Sequence, residues 1–177
     1  MFNWFENLVN PFPEQAIKAA PKKFWAFAWE CTQGLRPYIL AMTLLTGAIG
    51  AFEALLFAMM GKVVDWLSKI PQGQLWAQEK IHLLLLAGVL LFSTVFIALQ
   101  TLFKHQTLAG NFPMRLRWNF HRLMLNQSMS FYQDEFAGRV SAKVMQTALA
   151  VRDVWFIVAD ILVFVIIYFG TLVAVVG

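Results

Sequence analysis

The chain has 177 residues, of which 59% are hydrophobic and only 14% are charged. A soluble domain carries about 25% charged residues, so the composition excludes an ordinary soluble domain and predicts an all-α integral membrane protein. The net charge is +4, but the cations flank apolar blocks, which indicates contact with anionic lipid headgroups and argues against nucleic-acid binding.

The first 36 residues form an N-terminal segment that contains an amphipathic stretch. Lys22 and Lys23 come directly before a cluster of aromatic residues in "PKKFWAFAWE". The stretch is too short and too charged to span a membrane, so we expect a helix lying in the membrane interface. Pro21 is predicted to break this segment into two pieces.

Three apolar blocks predict three membrane-spanning helices. The first covers about residues 37–61, and its 24 residues from Tyr38 to Gly61 are long enough at about 36 Å to cross a bilayer. The second covers about 81–103. The third belongs to a helix over 140–177 whose apolar part begins near Val154.

Polar or ionisable side chains interrupt each block. They are Glu53, Gln100 and Asp160. Such residues usually face a cavity or a partner instead of lipid, so all three are candidates for a translocation pathway. A structural polar contact is the alternative, and it is favoured for Glu53 and Asp160, particularly for Asp160.

The region between the second and third blocks is long and helical in pattern. Apolar or uncharged positions at Leu116, Phe120 and Leu123 lie on one helix face, and Val140, Val144 and Thr147 repeat the spacing on the return side. We therefore expect the second helix to continue to about residue 130, to turn over 131–139, and to return as the third helix. Seven Lys or Arg residues in 104–153 and four before the first span, against three in 62–80, place the N-terminus and this turn in the cytoplasm.

No catalytic or metal-binding pattern is present in the sequence. The three histidines share no ligand spacing, Cys31 is the only cysteine, and no nucleophile stands beside a base. We therefore predict no catalytic residue, no cofactor and no metal for this chain.

The ordered set of elements resembles a known family. The stretch "RLRWNFHRLMLNQSMSFYQDEFAGRV" begins with Arg115 and Arg117 and continues with an aromatic pair, a few polar residues and a Gly-Arg-hydrophobic run. It resembles the first intracellular loop of exporter-type ATP-binding cassette (ABC) transporters. Gly61, the two valines after it and Asp65 are similar to the exit of that family's first helix, and the amphipathic stretch resembles its elbow helix.

The resemblance implies a fold and a site. The fold is the first half of an ABC exporter transmembrane domain, with long helices extending into the cytoplasm and residues 37–177 as the partial domain. The turn would be a coupling helix that docks on a nucleotide-binding domain. Its residues would be Phe131, Tyr132, Asp134, Glu135, Phe136, Gly138 and Arg139. The aromatics suit a pocket, the two acids suit the first turn of a helix, and Gly138 suits a backbone reversal.

The departures from the family pattern are equally informative. The sequence has three spans where the family has six, and it contains no GxxxxGK[ST] phosphate loop. We therefore expect a piece of a longer transporter, in which ATP and Mg²⁺ bind a nucleotide-binding domain absent from this chain. The implied partners are that domain, the remaining transmembrane helices and a second half in a homo- or heterodimer.

The resemblance also implies a cellular location and a transport function, and one alternative function stays open. The resemblance implies a multi-pass protein of a bacterial inner membrane, with its N-terminus in the cytoplasm, that exports an amphipathic or multidrug-like substrate. The rival is a complete three-span adaptor or channel subunit with no enzymatic activity.

Overall fold

Every element that the described residues form is helical. A computed structural model describes residues 3–14, 21–69, 75–134 and 137–176. The helices are α1 (Asn3–Glu6), α2 (Phe24–Glu30), α3 (Arg36–Lys69), α4 (Leu75–Thr101), α5 (Asn111–Leu125), α6 (Met129–Asp134), α7 (Ala137–Phe156) and α8 (Val163–Val176). Two wider π-helical segments, Leu102–Ala109 and Ile157–Leu162, join α4 to α5 and α7 to α8.

Three helical stretches are long and apolar enough to cross a membrane. They are Arg36–Trp66, Glu79–Leu125 and Gly138–Ala174. This finding confirms the prediction of three apolar helices in an all-α protein. Each stretch contains a run rich in Leu, Ile, Val and Phe and a more polar end. The helix therefore continues beyond the segment that the membrane would surround.

Both helices around the turn differ in their bounds from the prediction, since the outgoing helix is shorter and the returning helix begins earlier. The helix predicted to reach about residue 130 ends at Leu125, and the returning helix begins at Ala137 instead of 140. Two backbone N–H groups close α5: that of Asn126 donates to the Leu123 carbonyl at 3.2 Å, and that of Gln127 donates to the Met124 carbonyl at 2.9 Å. Asn126, Gln127 and Ser128 form a polar run, and Asn and Ser compete with the helix through their own side-chain hydrogen bonds.

The chain divides into two compact units. The first contains Met1–Ala41 and Leu102–Val158, and the second contains Met42–Thr101 and Ala159–Gly177. Leu35, Leu108, Phe112 and Leu116 are fully buried in the first unit. These residues bring the turn after α2 and one face of α5 into the core, as the periodicity of Leu116 and its neighbours predicts.

In the second unit, small residues let α3 and α8 approach closely. A Cβ at Gly50 would lie 3.3 Å from the Phe164 carbonyl oxygen and 3.4 Å from the Tyr168 nitrogen, and Gly47 lies against Val163 and Ile167. Gly47 belongs to the small-residue stripe that the sequence shows at 47, 51, 54 and 58. The absence of side chains is what permits this backbone contact.

The short helix α2 lies in the first unit with a buried and an exposed side. Ala28 is buried and its carbonyl accepts a hydrogen bond from the Trp155 indole at 3.0 Å, whereas Phe24, Trp25 and Trp29 are exposed. Phe27 stacks on Phe120 at 6.2 Å between ring centroids. One side of α2 therefore packs on α5 and α7, and its aromatic side stays available to another surface.

The thiol that follows α2 is expected to be unreactive. Burial raises the pKa of Cys31 to about 12, and the Glu30 carboxylate adds to the shift. At pH 8 we therefore expect alkylation by N-ethylmaleimide to be about a thousandfold slower in the folded chain than in denaturant. Because the folded pKa is raised, this thiol favours the folded state below about pH 9, and that contribution is lost as the pH rises towards 12.

Mass spectrometry of the labelled chain measures this rate directly, since Cys31 is the only cysteine. Equal rates in the folded and the denatured chain would contradict a buried thiol.

Candidate functional site

The turn between α5 and α7 carries an exposed aromatic pair on a short helix. Phe131 and Tyr132 are 36% and 39% exposed, and their rings meet edge to face at 5.3 Å. The Tyr132 hydroxyl donates to the Met124 carbonyl in the last turn of α5. This bond ties α6 to α5, so the aromatic pair has a defined position at the end of the helix pair.

An apolar groove lies behind the turn. Its volume is about 320 Å³. Its lining residues are Phe27, Phe120, Leu123, Met124, Phe131, Val140, Lys143, Val144 and Thr147. The apolar faces predicted on the outgoing and returning helices thus meet here. One side of Phe131 faces this groove of its own chain. The groove therefore explains one of the turn's aromatic residues without a partner protein.

The structure changes the expected role of the turn's acid Asp134. Asp134 ends α6, so it does not lie in the first turn of that helix, although it precedes the positive end of α7. Gly138 lies in the first turn of α7, and Gly34 is the glycine with a positive φ among the described residues. The proposed role of Gly138 in the backbone reversal stays a prediction. Arg139 is exposed, and Glu135 and Phe136 lie outside the described residues.

Two of the predicted pathway residues meet in a polar cluster of the second unit. The Gln100 amide donates to Asp160 Oδ1 at 2.9 Å, and the Thr46 hydroxyl donates to the same oxygen at 3.0 Å. Gln100 also approaches Thr46 Oγ1 at 3.4 Å. Thr46 is 2% exposed, and Asp160 lies in the second π-helical segment. Three separate stretches of the chain are therefore joined at one carboxylate oxygen.

This cluster explains how the chain tolerates a carboxylate in an apolar helix. A buried charge is costly unless hydrogen bonds compensate it, and two donors converge here. The sequence analysis did not identify Thr46. A hydroxyl within a span needs a nearby polar group as its hydrogen-bond partner. Threonine is nevertheless so common in membrane helices that this requirement does not distinguish Thr46 from the other threonines.

Glu53 stands apart from the cluster. It lines an apolar cavity of about 280 Å³ together with Leu56, Phe57, Met60, Leu86 and Leu90. Within the described part of the chain, no hydrogen bond or ion pair of Glu53 is present. The three polar residues predicted for one pathway thus occupy two different environments.

Two of the cations beside the apolar blocks bind the backbone of the same chain. Arg115 and Arg122 donate to backbone carbonyls of residues 10, 13 and 14. Among the described residues no group of three or more His, Cys, Asp or Glu side chains could hold a metal ion.

Comparison with known proteins gives one informative match. The chain is 53% identical over 172 residues to an "Uncharacterized ABC transporter ATP-binding protein" of Haemophilus influenzae. The match covers 97% of this chain and 28% of that relative, so the chain spans little more than a quarter of the relative's length. No family model matches the chain, and no solved structure matches it.

Proposed function

We propose that this chain is the N-terminal membrane part of an ATP-driven ABC exporter. The supporting observation is the 53% identity, over nearly the whole chain, to a relative named as an ABC transporter ATP-binding protein. The three apolar helices supply membrane spans, and the chain itself has no phosphate loop. ATP and Mg²⁺ would then bind a nucleotide-binding domain outside these 177 residues.

The turn at 131–139 is the proposed coupling point to that domain. Phe131 and Tyr132 offer an exposed aromatic pair, which is the residue type that anchors protein interfaces. The bond from Tyr132 to the end of α5 and the groove shared by α5, α6 and α7 support a turn that moves as one body with its helices. Force at the turn would then reach both helices together.

We assign different roles to the polar residues of the spans. Gln100 and Asp160 are proposed to hold helices of the second unit together through Thr46, because their polar atoms bind one another. Glu53 is proposed to line the translocation pathway, since it is a carboxylate at an apolar cavity. The proposed assembly is a dimer in a bacterial inner membrane with further transmembrane helices.

The coupling proposal is tested by removing the turn's aromatics in the longer transporter. We expect Phe131→Ala with Phe136→Ala to preserve assembly and to abolish the ATP-driven change between inward and outward access. Spin-label distances across the cytoplasmic ends of the helices, measured in nanodiscs with and without ATP, report this change.

A matched control is Met145→Ala, which removes an exposed apolar side chain of α7 beyond the turn. It is expected to leave the ATP-driven distance change intact. A full change in the double variant would contradict docking through the turn. A stop codon directly after residue 177 would instead support the three-span rival.

A further inference from the structure

Five side chains on one helix face bind the backbone of the N-terminal segment. They occupy positions 107, 111, 115, 118 and 122, and this spacing of four, four, three and four residues defines a single face. We call residues 3–14 the strap and these five side chains the reading face. The hydrogen bonds run from Thr107 to the Phe5 carbonyl (3.0 Å), Asn111 to Glu6 (2.9 Å), Arg115 to Asn10 (2.8 Å), Trp118 to Pro13 (3.0 Å), and Arg122 to Pro13 (3.0 Å) and Glu14.

The strap is recognised through its main chain. The six hydrogen bonds end on five backbone carbonyls, and these follow one another along the strap in the same order as the donors along the helix. Beyond α1 the strap consists of turns and bends, and Pro11 and Pro13 disfavour a regular helix there, so most of its carbonyls have no helical partner. The reading face supplies the missing donors.

A few apolar contacts fix the register of the strap. Val9 is 3% exposed, and Phe12 meets Trp118 edge to face at 5.5 Å. Most other strap side chains are exposed, as Trp4 shows at 66%. The strap therefore rests on the reading face with little side-chain burial of its own.

The strap also reaches the beginning of α3. The Tyr38 hydroxyl donates to the Leu8 carbonyl at 2.7 Å. Arg115 lies between the strap and the turn that leads into α3, since its guanidinium contacts Gly34 while it binds the Asn10 carbonyl. The strap thus links α5 to the start of α3 within the first unit.

We propose that the reading face is a peptide-binding surface whose occupant is the strap of the same chain, held through its main-chain carbonyls. The strap is then a latch that can be removed and returned as a separate peptide. The latch is a property of the first unit alone, and its binding requires neither nucleotide nor a partner domain.

The test uses the chain in lipid nanodiscs with residues 3–14 deleted. A fluorescent peptide of residues 3–14, capped at both ends, is titrated against it and followed by anisotropy. We expect saturable binding that Arg115→Ala weakens at least about tenfold, because a charge-assisted bond and the contact at Gly34 are lost. Arg117→Ala, an arginine of the same helix with no hydrogen bond to the strap in the described structure, is expected to leave binding within about twofold.

Two peptide variants test the register. Val9→Asp places a charge at the buried position and is expected to abolish binding, whereas Asn7→Ala changes an exposed side chain and is expected to have no effect. Absence of saturable binding to a deletion variant of unchanged helical content would overturn the proposal. Equal binding by the Arg115→Ala and Arg117→Ala proteins would overturn it as well.

A second measurement applies if the deletion variant does not fold. Spin labels at Asn7 and His121, both exposed, are placed in the intact chain with Cys31→Ser. We expect one narrow distance, which broadens when Arg115 and Arg122 are both changed to alanine. A broad distribution in the parent, or no broadening in the variant, would refute the latch.

Discussion

Asp160→Ala is expected to destabilise the second unit by about 1–3 kcal/mol. The change removes the oxygen that accepts hydrogen bonds from Thr46 and Gln100, and a buried donor without an acceptor costs about 1–3 kcal/mol. Two effects limit the loss. Gln100 can keep its 3.4 Å contact with Thr46, and removing a carboxylate from an apolar helix is itself favourable.

The matched control is Glu53→Ala. Glu53 is another carboxylate of the same unit, but it lines an apolar cavity and makes no hydrogen bond within the described structure. Its removal is expected to leave stability unchanged or to raise it. Asp160→Asn retains an oxygen acceptor and is expected to recover most of the stability.

Reversible unfolding in detergent, followed by circular dichroism, measures all three variants. The decisive quantity is the difference between Asp160→Ala and Glu53→Ala. If the two variants lost the same stability, the hydrogen bonds of the cluster would contribute nothing, and Asp160 would be better explained as a pathway residue.

The cluster shows what the sequence could and could not predict. The rule that polar and ionisable residues in spans are partnered selected Gln100 and Asp160. It could not pair them, because they are separated by 60 residues and the helical period only describes neighbours within one helix. The shared partner Thr46 carries no signal of its own in a sequence.

The strap was missed for a different physical reason. The apolar face of α5 has a period, so Leu116 and Phe120 could be placed before the structure was known. The strap is bound through backbone carbonyls, which every residue possesses. The side chains of the strap therefore give almost no sequence signal for this contact. From the sequence, Arg115 and Arg122 could be placed only as headgroup contacts or interhelical pairs, which is what cations beside apolar blocks usually form.

Gly34→Ala is expected to destabilise the first unit by about 2–4 kcal/mol. Gly34 has a φ of +77°, and alanine in that conformation costs about 1–2 kcal/mol. A Cβ there would also overlap the Arg115 guanidinium, lying 2.9 Å from its Cζ. The guanidinium can move aside, but doing so disturbs its hydrogen bond to Asn10 at 2.8 Å.

Gly138→Ala is the matched control, because Gly138 has helical geometry and a Cβ there would meet nothing within 4 Å. Alanine is the better helix former by about 0.5–1 kcal/mol, so this variant is expected to be slightly more stable than the parent. A destabilised Gly138→Ala variant would mean that the turn needs a glycine there after all, as its resemblance to a coupling loop first implied.

The two parts of the Gly34 effect can be separated by combining it with Arg115→Ala. The backbone part remains in any background, whereas the overlap exists only when the guanidinium is present. We therefore expect Gly34→Ala to cost about 1–2 kcal/mol in the Arg115→Ala chain, against the larger cost in the parent. If Gly34→Ala destabilised both backgrounds equally, the Arg115 guanidinium would be shown to move aside without loss of stability. The latch would then depend on the other donors of the reading face, and Arg115→Ala should weaken peptide binding by much less than tenfold.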